Sequence, residues 1–221
     1  MAIRNQWIWI VLAIVVMVGG ALAWRQWQGG NRGEISTAVA TENLPMDVRS
    51  DDNILGKSDA PVTIIEYASL SCPHCAKFHT QTLPELKKQY IDTGKVRLVY
   101  RDYPLEKYAL AAAAVAHCAP ADRYFPMIDL FFENQGQWAH DADPRAAITR
   151  LAAVAGMDNA AVDACLADQP KIDKILAGVQ EAQAKYGVNS TPTFIINGYK
   201  LTGAQPIEQF SQIIQSVSPK S

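Results

Sequence analysis

The chain has 221 residues, a formal net charge of −2 and hydrophobic residues at 49% of positions. This length suits one globular domain with a sizeable core plus an appendage, and a second folding unit fits only as an insertion. The near-balanced charge excludes a broad basic surface for nucleic acid, and neither repeats nor low-complexity tracts point to an array or a scaffold.

Residues 1–28 read as an export segment. Trp7 to Trp24 is uncharged (WIWIVLAIVVMVGGALAW) and is flanked by Arg4 and Arg25. As a helix it reaches roughly 27 Å, barely a bilayer core, and its terminal Trp residues suit the membrane–water interfaces. A signal-anchor is expected. A cleaved signal peptide is the alternative, because Gly19-Gly20 interrupts the helix and Ala21-Leu22-Ala23 resembles a small-x-small cleavage site. An ordinary core helix does not fit a run without a polar face. Either way the rest of the chain is expected outside the cytoplasm, periplasmic or at the extracytoplasmic face, and held at the inner membrane by residues 7–24 if they are kept. Residues 29–53, rich in Gly, Ser, Thr, Asn and charge, predict a flexible linker.

The β-branched run from Pro61 to Ala68 predicts a strand. Ser69-Leu70-Ser71 then leads to Cys72-Pro73-His74-Cys75. Pro73 suits the first helical position, which puts Cys72 at the N-cap. The helix is expected to continue through Phe78, Leu86 and Tyr90 with a kink at Pro84, and to end at Gly94 before a strand over 96–103. From Pro104 to Tyr186 alanine and helix formers dominate, which predicts four or five helices ended by Gly187 as a C-terminal cap. Strands at 193–196 and 199–202 flank Asn197-Gly198, a strong hairpin signal. Pro206 opens a last helix whose Ile207, Phe210, Ile213, Ile214 and Val217 share one face.

A disulfide exchanges when a thiolate attacks one of its sulfurs. A helix N-terminus favours the charged thiolate and lowers a thiol pKa of about 8.5. Cys72 is therefore the expected nucleophile, with His74 adding ring N–H donors, and Cys75 is the expected resolving thiol one turn into the helix. Stabilising the Cys72 thiolate stabilises the reduced form, which makes the disulfide an oxidant. A zinc site needs a second pair of ligands at suitable spacing, and Cys118, Cys165, His79, His117 and His140 form no such pattern. No metal and no cofactor is expected. A purely structural bridge between Cys72 and Cys75 would close too small a ring to staple anything. Cys118 and Cys165, an even leftover pair in the helical stretch, are expected to form a structural disulfide in an oxidising compartment; two buried free thiols are the alternative.

These residues resemble the DsbA-like branch of the thioredoxin superfamily over about 55–217. The resemblance rests on Cys72-Pro73-His74-Cys75 and on Gly187-Val188-Asn189-Ser190-Thr191-Pro192-Thr193-Phe194, which matches the family's segment with a cis-proline facing the active site. It implies an α/β thioredoxin fold at 54–103 and 188–221 interrupted by an all-helical insertion at 104–187. It also implies a cis Thr191–Pro192 bond lying against the cysteines, where the substrate chain is held as an added strand. Glu66 matches a buried acid below the cysteines of such proteins; it is either a proton relay to Cys75 or a strand residue facing solvent. A second bridge like Cys118–Cys165 occurs in some relatives from α-proteobacteria. The expected activity is oxidation of dithiols in reduced exported proteins, with re-oxidation by a quinone-linked membrane oxidase and a monomeric state. Thr191 stands where the best-known oxidants carry valine, so an isomerase or reductase fed by a membrane electron donor is the rival. A copper-handling or holdase protein is the non-enzymatic alternative.

Overall fold

A computed structural model describes residues 43–219. Residues 1–28 and the first part of the expected linker lie outside the described residues. No helix among the described residues is long and apolar enough to cross a membrane.

A five-stranded mixed sheet forms the frame. Its strands are β1 (Asn53–Leu55), β2 (Val62–Ala68), β3 (Val96–Asp102), β4 (Thr193–Ile196) and β5 (Tyr199–Thr202), in the order β1-β3-β2-β4-β5. Only β2 and β3 run parallel. Central β2 is buried along its whole length, which is why its sequence reads as a nearly continuous apolar run. Its side chains still alternate. Val62 and Ile64 join a core with Phe78, Leu86, Phe194 and Phe210 on one face, and Ile65 and Tyr67 join Val99, Tyr186 and Ile195 on the other. Glu66 continues the first set, so the period of two aims this carboxylate at the helix that carries the cysteines.

That helix begins as α1 (Pro73–Lys77) and passes through a π turn (Phe78–Thr82) into α2 (Leu83–Leu86), with a second π turn at Lys87–Ile91. The disturbance expected at Pro84 is a widened turn just before it. Proline lacks the N–H that would bond back one α turn, and the extra residue of a π turn takes up the mismatch. The Leu83 amide bonds to the Phe78 carbonyl, and Phe78 and His79 are both turned inward.

Between β3 and β4 stand the helices α3 (Lys107–Ala116), α4 (Tyr124–Glu133), α5 (Gln135–Trp138), α6 (Pro144–Val154), α7 (Asn159–Ala167) and α8 (Gln169–Tyr186), with a 3₁₀ turn at Ala121–Arg123. Their core is rich in alanine and holds Met127, Phe131, Phe132 and Trp138, and Cys72 and Cys75 belong to it too. The cysteines thus lie where the insertion meets the sheet. Gly187 caps α8 in the left-handed region at φ +57°. Asn197 (φ +42°) and Gly198 (φ +96°) make the β4–β5 turn, both in the positive-φ region that a two-residue hairpin demands. The final helix is α9 (Ile207–Val217).

The structure corrects the linker reading for residues 43–52. Leu44, Met46 and Val48 pack against the sheet core around Tyr67 and Tyr186, and the Leu44 amide bonds to the Gly198 carbonyl at 3.1 Å. Arg101 donates to both Asp52 oxygens at 3.0 and 2.8 Å and to the Tyr67 hydroxyl at 2.9 Å. Asp47, Arg49 and Asp51 pair with Lys185, Glu181 and Lys174 of α8. The stretch is polar because its alternate residues face water, not because it is loose.

Candidate active site

The end of β2 delivers the chain to the site. The Cys72 amide closes a turn on the Ser69 carbonyl at 3.0 Å, and Cys72 is the extended N-cap (φ −80°, ψ 120°) with Pro73 opening the helix. The proline ring carries no N–H to leave unpaired at that position. Gln135 of α5, itself buried, donates its side-chain amide to the Leu70 carbonyl at 2.6 Å and to the Cys72 carbonyl at 3.0 Å. The insertion therefore clamps the loop before the cysteines through a residue that no sequence pattern singled out.

Cys72 and Cys75 are both free thiols and both buried. The Cys72 pKa is lowered to about 5. A hydrogen bond from the Cys75 thiol contributes most, against the opposing effect of burial; the Thr191 hydroxyl and the backbone N–H groups of Cys75 and His74 add to it. As a thiol, Cys72 donates to the Thr191 carbonyl at 3.4 Å. As a thiolate it gives up that bond, and the Thr191 hydroxyl, buried and without a hydrogen-bond partner among the described residues, is free to donate to it. Cys75 is driven the other way, far above the ordinary thiol range, first by burial, then by its bond to Cys72 and by the Glu66 charge. The two sulfurs are thus split into a thiolate and a neutral thiol.

Of the other residues singled out by sequence, the Thr191–Pro192 bond is cis, and Thr191 borders Cys72 directly. Pro73 and His74 are exposed. The His74 backbone N–H faces the Cys72 sulfur, and its ring has no hydrogen-bond partner among the described residues. Glu66 is fully buried and accepts from His79 Nε2 at 3.2 and 3.1 Å. It does not face solvent. Cys118, just beyond α3, and Cys165 of α7 form a disulfide, with Lys171 Nζ 2.9 Å from the Cys118 sulfur.

Sequence reasoning passed over His79 because it was sought as a metal ligand. Its place one helical turn beyond Cys75 was the available signal. The ring is stacked on Phe132 with centroids 4.1 Å apart, and Nδ1 lies 3.8 Å from Asp129 Oδ1 of α4. Burial opposes its charge, but Glu66 and Asp129 outweigh burial and raise its pKa to about 9.

This arrangement has counterparts in known proteins. The thioredoxin family model matches residues 49–216. The crystal structure of α-DsbA1 from Wolbachia pipientis superposes with a TM-score of 0.72 at 32% identity, covering 79% of this chain and 92% of that one. The chain belongs to the DsbA-like branch of the thioredoxin family. Two rickettsial proteins named as candidate protein-disulfide oxidoreductases are similar to this DsbA-like chain. The protein of Rickettsia conorii is 32% identical over 80% of this chain and 64% of its own length. The protein of Rickettsia bellii is 29% identical over 72% and 62%. The DsbA-like chain therefore spans slightly less than two thirds of the length of these relatives.

Proposed function

We propose that this chain is an exported thiol–disulfide oxidoreductase that introduces disulfides into reduced proteins through Cys72 and Cys75. The observation that carries the reading is the opposed pair of thiols beside Thr191–Pro192: Cys72 drawn down to about 5, Cys75 pushed up. With the Cys72–Cys75 disulfide formed, a client thiolate attacks Cys72 Sγ, the S–S bond breaks, and Cys75 leaves and takes up a proton. The client's second thiolate then attacks its own sulfur in the mixed disulfide. Cys72 leaves as a thiolate, the client holds the new S–S bond, and the two electrons rest on the enzyme's dithiol. A sulfur with a low pKa is the better leaving group in that second step.

The same stabilisation sets the direction. Each unit by which the thiolate is favoured is worth about 1.4 kcal/mol, or about 30 mV in a two-electron couple. A drop from 9.0 to about 5 therefore supports an oxidant by on the order of 100 mV above pH 9 and by about half of that at pH 7. The Thr191 hydroxyl works on this side too, since it favours the thiolate. The electrons would pass to a quinone-linked membrane oxidase. Residues 7–24 support export and, if kept, anchoring at the inner membrane; the protein is taken to act as a monomer.

The test uses oxidised protein and a stoichiometric reduced two-cysteine peptide. Peptide disulfide is expected from the wild type and none from Cys72→Ser; identical behaviour of the two overturns the reading. A reduction potential at the reducing end of the thioredoxin range would replace the oxidant by a reductase or isomerase.

A further inference from the structure

Around Cys72, consecutive peptide planes are held one after another. The Cys72 N–H bonds to the Ser69 carbonyl at 3.0 Å, which fixes the plane before it. The plane after it joins Pro73, which has no N–H to offer, so only the Cys72 carbonyl can hold that plane. That carbonyl accepts from the Ala76 N–H at 3.1 Å and from Gln135 Nε2 at 3.0 Å. The same nitrogen donates to the Leu70 carbonyl at 2.6 Å and so holds the plane between Leu70 and Ser71. One side-chain amide thus grips the planes on either side of the Ser71–Cys72 peptide. The extended conformation of Cys72 (φ −80°, ψ 120°) lies between them.

Ser69 and Ala76 belong to the loop and helix that carry Cys72. Gln135 does not: it opens α5 of the insertion, 63 residues away in sequence. Its own place is fixed. Trp138, with 0% exposure, anchors α5 by donating Nε1 to the Phe131 carbonyl at 2.9 Å. Residue type matters as much as place. Two carbonyl oxygens converge on one side-chain atom, and an amide nitrogen carries two N–H groups to meet them. A carboxylate would turn negative charge on both carbonyls, and an alkyl chain would leave both without this donor.

What the planes position is the sulfur. The N–H groups of Cys75 and His74 bear on Cys72 Sγ, and they do so only while Cys72 keeps its place at the helix start. In the disulfide, the small covalent ring holds Sγ. In the dithiol the backbone alone keeps the thiolate over its donors, so a loosened grip falls on the reduced form.

We propose that Gln135 is a positioning residue for the Cys72 sulfur, through which the helical insertion sets the oxidising strength of the Cys72–Cys75 couple. This rests on the exchange reading of the two cysteines. Gln135 bonds to backbone carbonyls and acts on the sulfur through the Cys72 peptide. Without its two N–H groups the thiolate loses part of its stabilisation, the dithiol is less favoured, and the disulfide is a weaker oxidant.

The experiment compares the full chain with Gln135→Met, a side chain of similar length that carries no donor. Ultraviolet thiolate absorbance against pH reads the Cys72 pKa, and equilibration with glutathione reads the reduction potential. The pKa is expected to rise from about 5 to about 6 as the charged form loses hydrogen bonding. At pH 7 the equilibrium constant for oxidising glutathione should fall about 10-fold in step, which is about 30 mV. A folded Gln135→Met that keeps both wild-type values has lost packing alone, and that overturns the proposal. If Gln135→Met does not fold, the reduced wild type decides. The Gln135 side-chain N–H resonances of isotope-labelled protein should shift with pH at the Cys72 midpoint, and should not in Cys72→Ser. Resonances indifferent to that midpoint overturn the proposal too. Both of these failures leave the exchange reading standing. A wild type that forms no glutathione disulfide overturns that reading, and the proposal falls with it.

Discussion

The two cysteine pairs of this chain use the same element for opposite ends, and the contrast lies in what surrounds the sulfurs. Cys72 and Cys75 are three positions apart at a helix start, where backbone N–H groups and a neighbouring thiol favour one charge. Their bond encloses almost no chain, so it stabilises little and its opening disturbs little. Cys118 and Cys165 are 47 residues apart on separate parts of the insertion, so their bridge restrains a long loop of the unfolded chain. A reactive bridge needs a stabilised leaving thiolate and a short ring; a structural bridge needs a long ring.

Three experiments bear on that contrast. Cys75→Ala has the largest expected effect. The Cys72 thiol remains but the Cys72–Cys75 disulfide cannot form, so oxidation of reduced peptide should vanish; offered a client that already carries a disulfide, Cys72 opens that bond, the client's other sulfur leaves as a thiol, and the unresolved Cys72–client mixed disulfide should be visible by intact mass. Next is the double variant Cys118→Ala/Cys165→Ala. A loop of 47 residues should cost about 3–4 kcal/mol of stability when opened, read by denaturant unfolding, while peptide oxidation by Cys72 persists. Loss of oxidation in a folded double variant would erase the division of labour.

The smallest effect is in alkylation of the reduced protein. At pH 6 Cys72 is mostly thiolate, a gain of roughly 300-fold over a thiol of pKa about 8.5. Its lower basicity gives back most of this at a Brønsted slope of about 0.4–0.5, leaving about a 10-fold advantage. The rate should be half-maximal near pH 5. The same ionisation has a stability consequence of fixed sign. Because the folded pKa is depressed from 9.0 to about 5, the reduced form gains stability that is complete above pH 9 and is lost as pH falls through 5. The advantage of the reduced over the oxidised form should therefore shrink on acidification across that window.

Much of this was legible in the sequence because it is local. A proline after a cysteine marks a helix start, Asn197-Gly198 marks a hairpin, and Gly187 marks a helix end, each through backbone rules that need only neighbours. The packed stretch at 43–52 was hidden because composition outvoted pattern. Leu44, Met46 and Val48 alternate as a strand-like segment would, among polar and charged residues that read as a tether. Gln135 was hidden for another reason. Its value lies in two carbonyls, those of Leu70 and Cys72, more than sixty residues away in sequence.

By itself the sequence determined where the candidate nucleophile stands, which elements flank it and that the helices interrupt the sheet, since periodicity and turn chemistry act over a few residues. Only the tertiary structure decided how the two thiols divide the charge, that Glu66 is sealed against His79, and that Thr191 rests on Cys72. Burial and electrostatics depend on what the rest of the chain brings within a few ångströms, and no local pattern records that.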